Sequence, residues 1–179
     1  MAEDIKFGRR AFLGSAAMGA AGLGAAPALA SAETGYSYEV QRSDAEWRAM
    51  LTDEEYGILR EGQTEQPRTS LYWADNPDGT YHCKGCDLHV YSSEWKVVWK
   101  SKGWVFFRHS EGNATMTAID RVIPPAYGGN GMANPNAQRA LIETHCRRCG
   151  SHLGHTLMIN LMVIHCINGK ALNFRPVEA

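Results

Sequence analysis

The sequence predicts a mainly β domain, mostly antiparallel, entered through short N-terminal helices and pinned by a metal knuckle. Three observations carry that expectation. Short β-branched and aromatic runs punctuated by Gly, Pro and Asn fill the chain after Gly62. Two helix-capping patterns stand just ahead of them. Two Cys-x-x-Cys pairs, Cys83/Cys86 and Cys146/Cys149, lie far apart in the chain, a spacing suited to one shared tetrahedral ion.

The length of 179 residues allows one ordinary domain behind a leader, and a formal charge of −1 offers no basic face for nucleic acid. No nucleic-acid partner is expected. Residues 1–32 read as the leader: Lys6-Phe7-Gly8-Arg9-Arg10-Ala11-Phe12-Leu13 sets paired arginines before an Ala/Gly-rich run ending Ala28-Leu29-Ala30-Ser31-Ala32. This resembles a twin-arginine export signal, with small-x-small cleavage candidates after Ala30 and after Ala32. Cleavage would leave residues 33–179 as a periplasmic domain, with the twin-arginine export machinery as a partner. An uncleaved anchor helix is the competing reading, but Ala, Gly and Pro27 make poor lipid-facing sequence.

From Ser43 the pattern is helical. Ser43-x-x-Glu46 and Thr52-x-x-Glu55 are capping boxes, Trp47, Met50 and Leu51 follow the first on one face, Tyr56 and Leu59 follow the second, and Gly62 is placed to end it. Strand signals come next. Leu71-Tyr72-Trp73 runs into the turn Asn76-Pro77-Asp78-Gly79, and Thr80-Tyr81-His82 would return as a hairpin ending on the first cysteine pair. Residues 95–100, 104–107 and 114–122 read as further strands. Residues 124–138 hold tandem prolines, Gly128-Gly129, Gly131 and Asn-Pro, the composition of a long surface loop, and such loops are often functional. Leu141-Ile142-Glu143-Thr144-His145 delivers the second cysteine pair, and residues 161–167 and 171–174 complete the β domain.

Four thiolates leave no open position on zinc, so the tetrad Cys83, Cys86, Cys146 and Cys149 would be a structural site that clamps distant hairpins. Disulfides are the alternative for an exported chain, though two such tight pairs favour a metal. Folded export agrees with this, because zinc can be loaded before the thiols meet an oxidising compartment. Cys166 stands apart. It is a candidate nucleophile, with His165 adjoining it and His152 and His155 in a polar segment that the knuckle fixes; Asn168 would project from the same strand face. The bland alternative is a buried core cysteine with incidental histidines.

Taken together, the segments resemble the B-type methionine-R-sulfoxide reductases. The matching pieces are Leu59-Arg60-Glu61-Gly62-Gln63-Thr64-Glu65-Gln66-Pro67, Gly79-Thr80-Tyr81-His82-Cys83-Lys84-Gly85-Cys86, Gly103-Trp104, the run from Glu143-Thr144-His145-Cys146 through Cys149-Gly150-Ser151-His152-Leu153-Gly154-His155, and Cys166-Ile167-Asn168. The resemblance implies two packed antiparallel sheets, with structural zinc held far from the active site. It also implies that Cys166 attacks the sulfoxide sulfur while an acid at His152 or His155 protonates the departing oxygen, that Trp104 holds the substrate's methyl group, and that Asn168 helps order the pocket. Cys166 would become a sulfenic acid, cleared by an external thiol reductant such as a thioredoxin-like protein. The substrates implied are oxidised methionine residues or free methionine sulfoxide.

The chain departs from the family pattern in three places. Gly103-Trp104-Val105-Phe106-Phe107 replaces Gly-Trp-Pro-Ser-Phe, Ile164-His165-Cys166 replaces Arg-Tyr-Cys, and the connection from His155 to Cys166 is shortened and lacks an acidic Asp-Gly-Pro turn. His165 is then the substitute expected for the lost cation beside the pocket, and an orienting aspartate is missing. Lys102 stands where many members carry a resolving cysteine. A second reading, a zinc-stabilised binding module that has lost turnover, draws on these losses.

Overall fold

Ser43 and Thr52 each cap a helix in both directions. In the computed structural model, which describes residues 36–132 and 140–177, helix α1 (Asp44–Met50) opens with Ser43 N–H donating to Glu46 Oε2 at 2.7 Å, and α2 (Asp53–Glu61) with Thr52 N–H donating to Glu55 Oε2 at 3.0 Å. The side-chain oxygens of Ser43 and Thr52 accept the reciprocal bonds, which satisfies amides that a helix start leaves unpaired. Gly62 ends α2, as expected. The helices lie over the cysteine knuckles. Trp47 of α1 is buried between the guanidinium groups of Arg42 and Arg60, 4.8 and 4.5 Å from its ring, and these donate onward to the carbonyls of Gly85 and Cys149. The leader and residues 133–139 of the long loop lie outside the described residues.

The strands are β1 (Gly79–Cys83), β2 (His89–Ser92), β3 (Lys96–Val97), β4 (Val105–Phe107), β5 (Thr115–Asp120), β6 (Leu141–Cys146), β7 (His152–Ile159), β8 (Met162–Ile167) and β9 (Leu172–Pro176). They form two antiparallel sheets, a three-stranded one ordered β2-β1-β9 and a six-stranded one ordered β3-β4-β8-β7-β6-β5. Aromatic rings join the sheets face to face: Phe107 of β4 stacks on Tyr91 of β2 at 4.3 Å and meets Tyr81 of β1 edge-on at 5.1 Å. Val105, Ile167, Leu153 and Leu172 fill the same core. Side chains alternate along a strand, so residues 106, 164 and 166 face away from this core and build a second, smaller cluster on the outer face of the six-stranded sheet.

The structure corrects the expected first hairpin. Leu71-Tyr72-Trp73 is not a strand; β1 has its two neighbours in β2 and β9, and β9 supplies five registered pairs that leave no edge free. Leu71 is exposed, and Tyr72 instead packs its ring on Tyr81 at 5.6 Å. Within residues 95–100 only Lys96–Val97 is a strand, because Ser93–Trp95 forms a 3-10 turn. Strands β2 and β7 are additional to those expected.

Candidate active site

One rung crosses all six strands of the larger sheet on its outer face: Val97, Phe106, Cys166, His155, Glu143 and Ala118 are successive cross-strand partners. Directly opposed side chains in antiparallel pairs lie about 5 Å apart, so the thiol of Cys166 and the imidazole of His155 are immediate neighbours. Gly154 makes the approach of β7 to β8 possible, since a Cβ there would sit 2.1 Å from the Cys166 carbonyl oxygen. Phe106, Ile164, Leu157, Trp99 and Trp104 wall the thiol, which is 3% exposed.

Carboxylates orient both imidazoles. His155 Nε2 donates to Asp120 Oδ2 at 2.9 Å, and His152 Nδ1 donates to Glu143 Oε1 at 2.8 Å. An ionised carboxylate only accepts, which fixes the proton on each of those nitrogens. Burial pushes both carboxyls up, but hydrogen bonds from the histidines and the attraction of the imidazoles outweigh it and hold Asp120 and Glu143 below the usual carboxylate range. The His152 and His155 rings meet edge-on, 5.2 Å apart, and His152 Nε2 is buried without a hydrogen-bond partner.

The rest of the pocket is tied together through residue 65. Trp104 Nε1 donates to the Glu65 carbonyl at 3.1 Å, and the Glu65 carboxylate accepts the backbone amides of Gly169 and Lys170, each at 2.9 Å. The spacing placed Asn168 on the strand face of Cys166, but β8 ends at Ile167 and Asn168 does not share that face. Its Oδ1 accepts Glu65 N–H at 3.0 Å and its Nδ2 donates to the Leu153 carbonyl at 3.1 Å, so it braces the turn behind the thiol. From the long loop, the Tyr127 hydroxyl donates to Cys166 Sγ at 3.2 Å.

His165 is not brought to the thiol. It faces the inter-sheet core, where Nδ1 meets the Tyr91 hydroxyl at 3.0 Å and burial, with a smaller effect from His109, lowers its pKa. The position two residues before Cys166, where the lost cation would stand, is the fully buried Ile164. Burial likewise pushes the Cys166 thiol up to about 12, although the Tyr127 hydrogen bond lowers it, so the resting sulfur keeps its proton near neutral pH.

Sequence reasoning missed Asp120, Glu143 and Tyr127 as parts of the site. Glu143 could have been found, since it shares a β-strand face with His145 in the expected strand; Asp120 and Tyr127 meet the thiol's neighbourhood only through pairings the chain order does not reveal.

Far along β6 and β7, the sulfurs of Cys83, Cys86, Cys146 and Cys149 all lie within 4.8 Å of one another, with Cys83 to Cys149 at 3.7 Å and Cys86 to Cys146 at 3.5 Å. Tetrahedral zinc with bonds of about 2.3 Å needs sulfurs about 3.8 Å apart, so the donor set fits that ion. Each pair sits where a strand turns, Cys83 ending β1 and Cys146 ending β6, and the tetrad therefore joins the two sheets.

A buried thiol flanked by carboxylate-held imidazoles, on a two-sheet β domain joined by a cysteine tetrad that could hold a metal ion, defines a thiol redox protein. The SelR domain matches residues 51–127. The chain is 34% identical over 162 residues to "Peptide methionine sulfoxide reductase B3" of Arabidopsis thaliana, covering 87% of this chain and 80% of that protein. It is 33% identical over 146 residues to "Peptide methionine sulfoxide reductase MsrB" of Chromohalobacter salexigens, covering 79% and 99%, and 32% identical over 175 residues to human "Methionine-R-sulfoxide reductase B2, mitochondrial", covering 94% and 89%. The chain belongs to the B-type methionine sulfoxide reductase family, the family of the SelR domain.

Proposed function

We propose that the protein reduces methionine-R-sulfoxide, peptide-bound or free, to methionine, with Cys166 as the attacking sulfur. The observation that carries this is the cross-strand pairing of Cys166 with His155 beside two carboxylate-oriented imidazoles, in a chain of that family. Trp104 and the apolar wall receive the methyl group. The thiol proton passes to an imidazole, the thiolate attacks the sulfoxide sulfur, and His152 Nε2, the ring nitrogen free of other bonds, protonates the oxygen. In the net change a thiol and a sulfoxide become a sulfenic acid and a thioether: two electrons pass from the cysteine sulfur to the substrate sulfur, and the oxygen passes the other way.

The other four cysteines form the tetrad, so Cys166 acts without a resolving partner and its sulfenic acid is cleared by an external dithiol, of which a thioredoxin-like protein is the natural class. Zinc in the tetrad is structural. The inactive-module reading loses its main support, because Asp120 and Glu143 hold the histidines that a missing aspartate would leave loose.

The test uses zinc-loaded protein, a dithiol and separated R and S epimers. Turnover of the R epimer alone, lost in Cys166→Ser, with a trappable sulfenate after one turnover without reductant, is the expected result; no turnover of either epimer by intact protein would overturn it. We also assign residues 1–32 to twin-arginine export and the domain to the periplasm, on Arg9-Arg10 before the Ala/Gly-rich run. Changing both arginines to lysine is expected to retain the precursor in the cytoplasm, and unaltered export of that variant would refute the assignment.

A further inference from the structure

Tyr127 reaches the thiol from outside the sheet, on a loop built to hold it there. It closes a 3-10 turn, Pro125–Tyr127, between β5 and β6. Tyr127 N–H and Gly129 N–H both donate to the carbonyl of buried Pro124, at 2.9 and 3.2 Å, and Gly131 N–H donates to Ile123 at 3.1 Å. Pro125 sets its own φ, and Gly129 passes so close to Ile123 that a Cβ would lie 1.8 Å from that carbonyl oxygen. These bonds and the close approach at Gly129 hold residues 123–131 together. It lays the Tyr127 ring near-parallel to Trp104, centroids 6.5 Å apart, and edge-on to His155 at 5.4 Å, with the hydroxyl 3.2 Å from Cys166 Sγ.

We propose that Tyr127 is a further catalytic residue: its hydroxyl holds the Cys166 sulfur before substrate arrives and passes to the sulfoxide oxygen as the sulfur–sulfur bond forms. This rests on Cys166 being the nucleophile. Burial pushes the phenol's pKa far up, with the nearby Cys166 and Glu65 adding to it, so Tyr127 keeps its proton and serves as a hydrogen-bond donor, not an acid. As the bond between the cysteine and substrate sulfurs forms, the S–O electron pair moves to oxygen. That oxygen takes its proton from His152 and accepts a hydrogen bond from Tyr127, then migrates to the cysteine sulfur: the S–S bond and the substrate S–O bond break, one of their electron pairs becomes the new cysteine S–O bond of the sulfenic acid, and the other stays on the substrate sulfur as the lone pair of the departing thioether. Stabilising charge that develops on the oxygen is where a fixed donor does most for rate.

Tyr127→Phe keeps the ring and removes only the donor. In the zinc-loaded full chain, with Cys166→Ser subtracted as background, alkylation of Cys166 by iodoacetamide at about pH 8 should slow about tenfold, because the thiolate loses a hydrogen bond. Single-turnover reduction of the R epimer of N-acetyl-methionine sulfoxide amide should slow on the order of 100-fold, with KM changed less than about threefold. Gly129→Val, which displaces the loop, should reproduce the slowed alkylation while zinc content stays unchanged. Unchanged or faster alkylation in Tyr127→Phe overturns the hold on the thiol, and an unchanged or raised turnover rate overturns the role in the reaction. If wild type itself fails to reduce the R epimer, the reading of the reaction fails, and the alkylation rates still decide whether Tyr127 governs the thiol.

Discussion

Cys166 and His165 are chain neighbours on opposite faces of β8, and their surroundings set opposite chemistry. The cysteine faces Phe106, His155 and Tyr127; the histidine faces Tyr91 and Phe107 in the inter-sheet core. The folded state disfavours charge on His165, so its folded pKa lies below the unfolded value of 6.5. The unfolded chain therefore binds the extra proton more readily, and the stability that neutral His165 contributes is present above 6.5 and lost as pH falls below it toward the folded value. His165→Gln should flatten the fall in urea midpoint between about pH 7.5 and pH 5. Its kcat/KM should match wild type; a large loss would return His165 to the site. The tetrad was legible from its spacing, and the isolation of Cys166 and the Gly-Trp motif singled out two residues that the fold brings into one cluster. Asp120 and Tyr127 were not legible, because each reaches the site across strands whose order is set by pairing and not by chain position.

At the scale of elements, the capping boxes of α1 and α2 were readable because a cap is a contact over three residues. Strand β7 was hidden. Its first four residues are all buried and include Gly154, so it lacks the period-two alternation that marks a half-exposed strand. Leu71-Tyr72-Trp73 shows the reverse error, strand composition beside a β1 whose two sides are already paired with β2 and β9. The β7–β8 hairpin carries a local conflict: Asn160 and Leu161 form its turn at φ 51° and 62°, and Leu161 is 93% exposed. Two-residue hairpin turns of this kind favour Asn-Gly, because a Cβ is disfavoured at positive φ. Leu161→Gly should raise unfolding free energy by about 1 kcal/mol, read as a higher urea midpoint with unchanged slope. A lower midpoint would mean that Leu161 makes a contact worth more than the relieved backbone.

For the whole molecule, the tetrad joins the three-stranded sheet to the six-stranded one, and Arg42, Trp47 and Arg60 lay the helices across it. Zinc held by the tetrad would contribute metal-binding free energy on the order of 10 kcal/mol, and its removal would leave four thiols within 4.8 Å in a largely buried space. Chelation should therefore abolish cooperative unfolding and R-sulfoxide reduction together, and zinc should restore both. A chelated protein that keeps a sharp transition would show that the sheets hold each other without the metal. The coarse architecture was accessible from composition and turns, but the face-to-face packing through Tyr81, Tyr91 and Phe107 depends on β1 and β4 meeting across the core.

The bulge between Thr144 and His145, next to the Cys146–Cys149 turn, gives the tetrad an office besides holding sheets together. A slip of β7 by one residue would put Thr156 on the outer face in place of His155, presenting a hydroxyl to Cys166 where an imidazole now stands, and a slip of β6 by one residue would put Thr144 in place of Glu143. A metal held at the start of that hairpin would act as the benchmark from which the strand is measured. Touching no substrate, it would still set the address at which the imidazole is delivered.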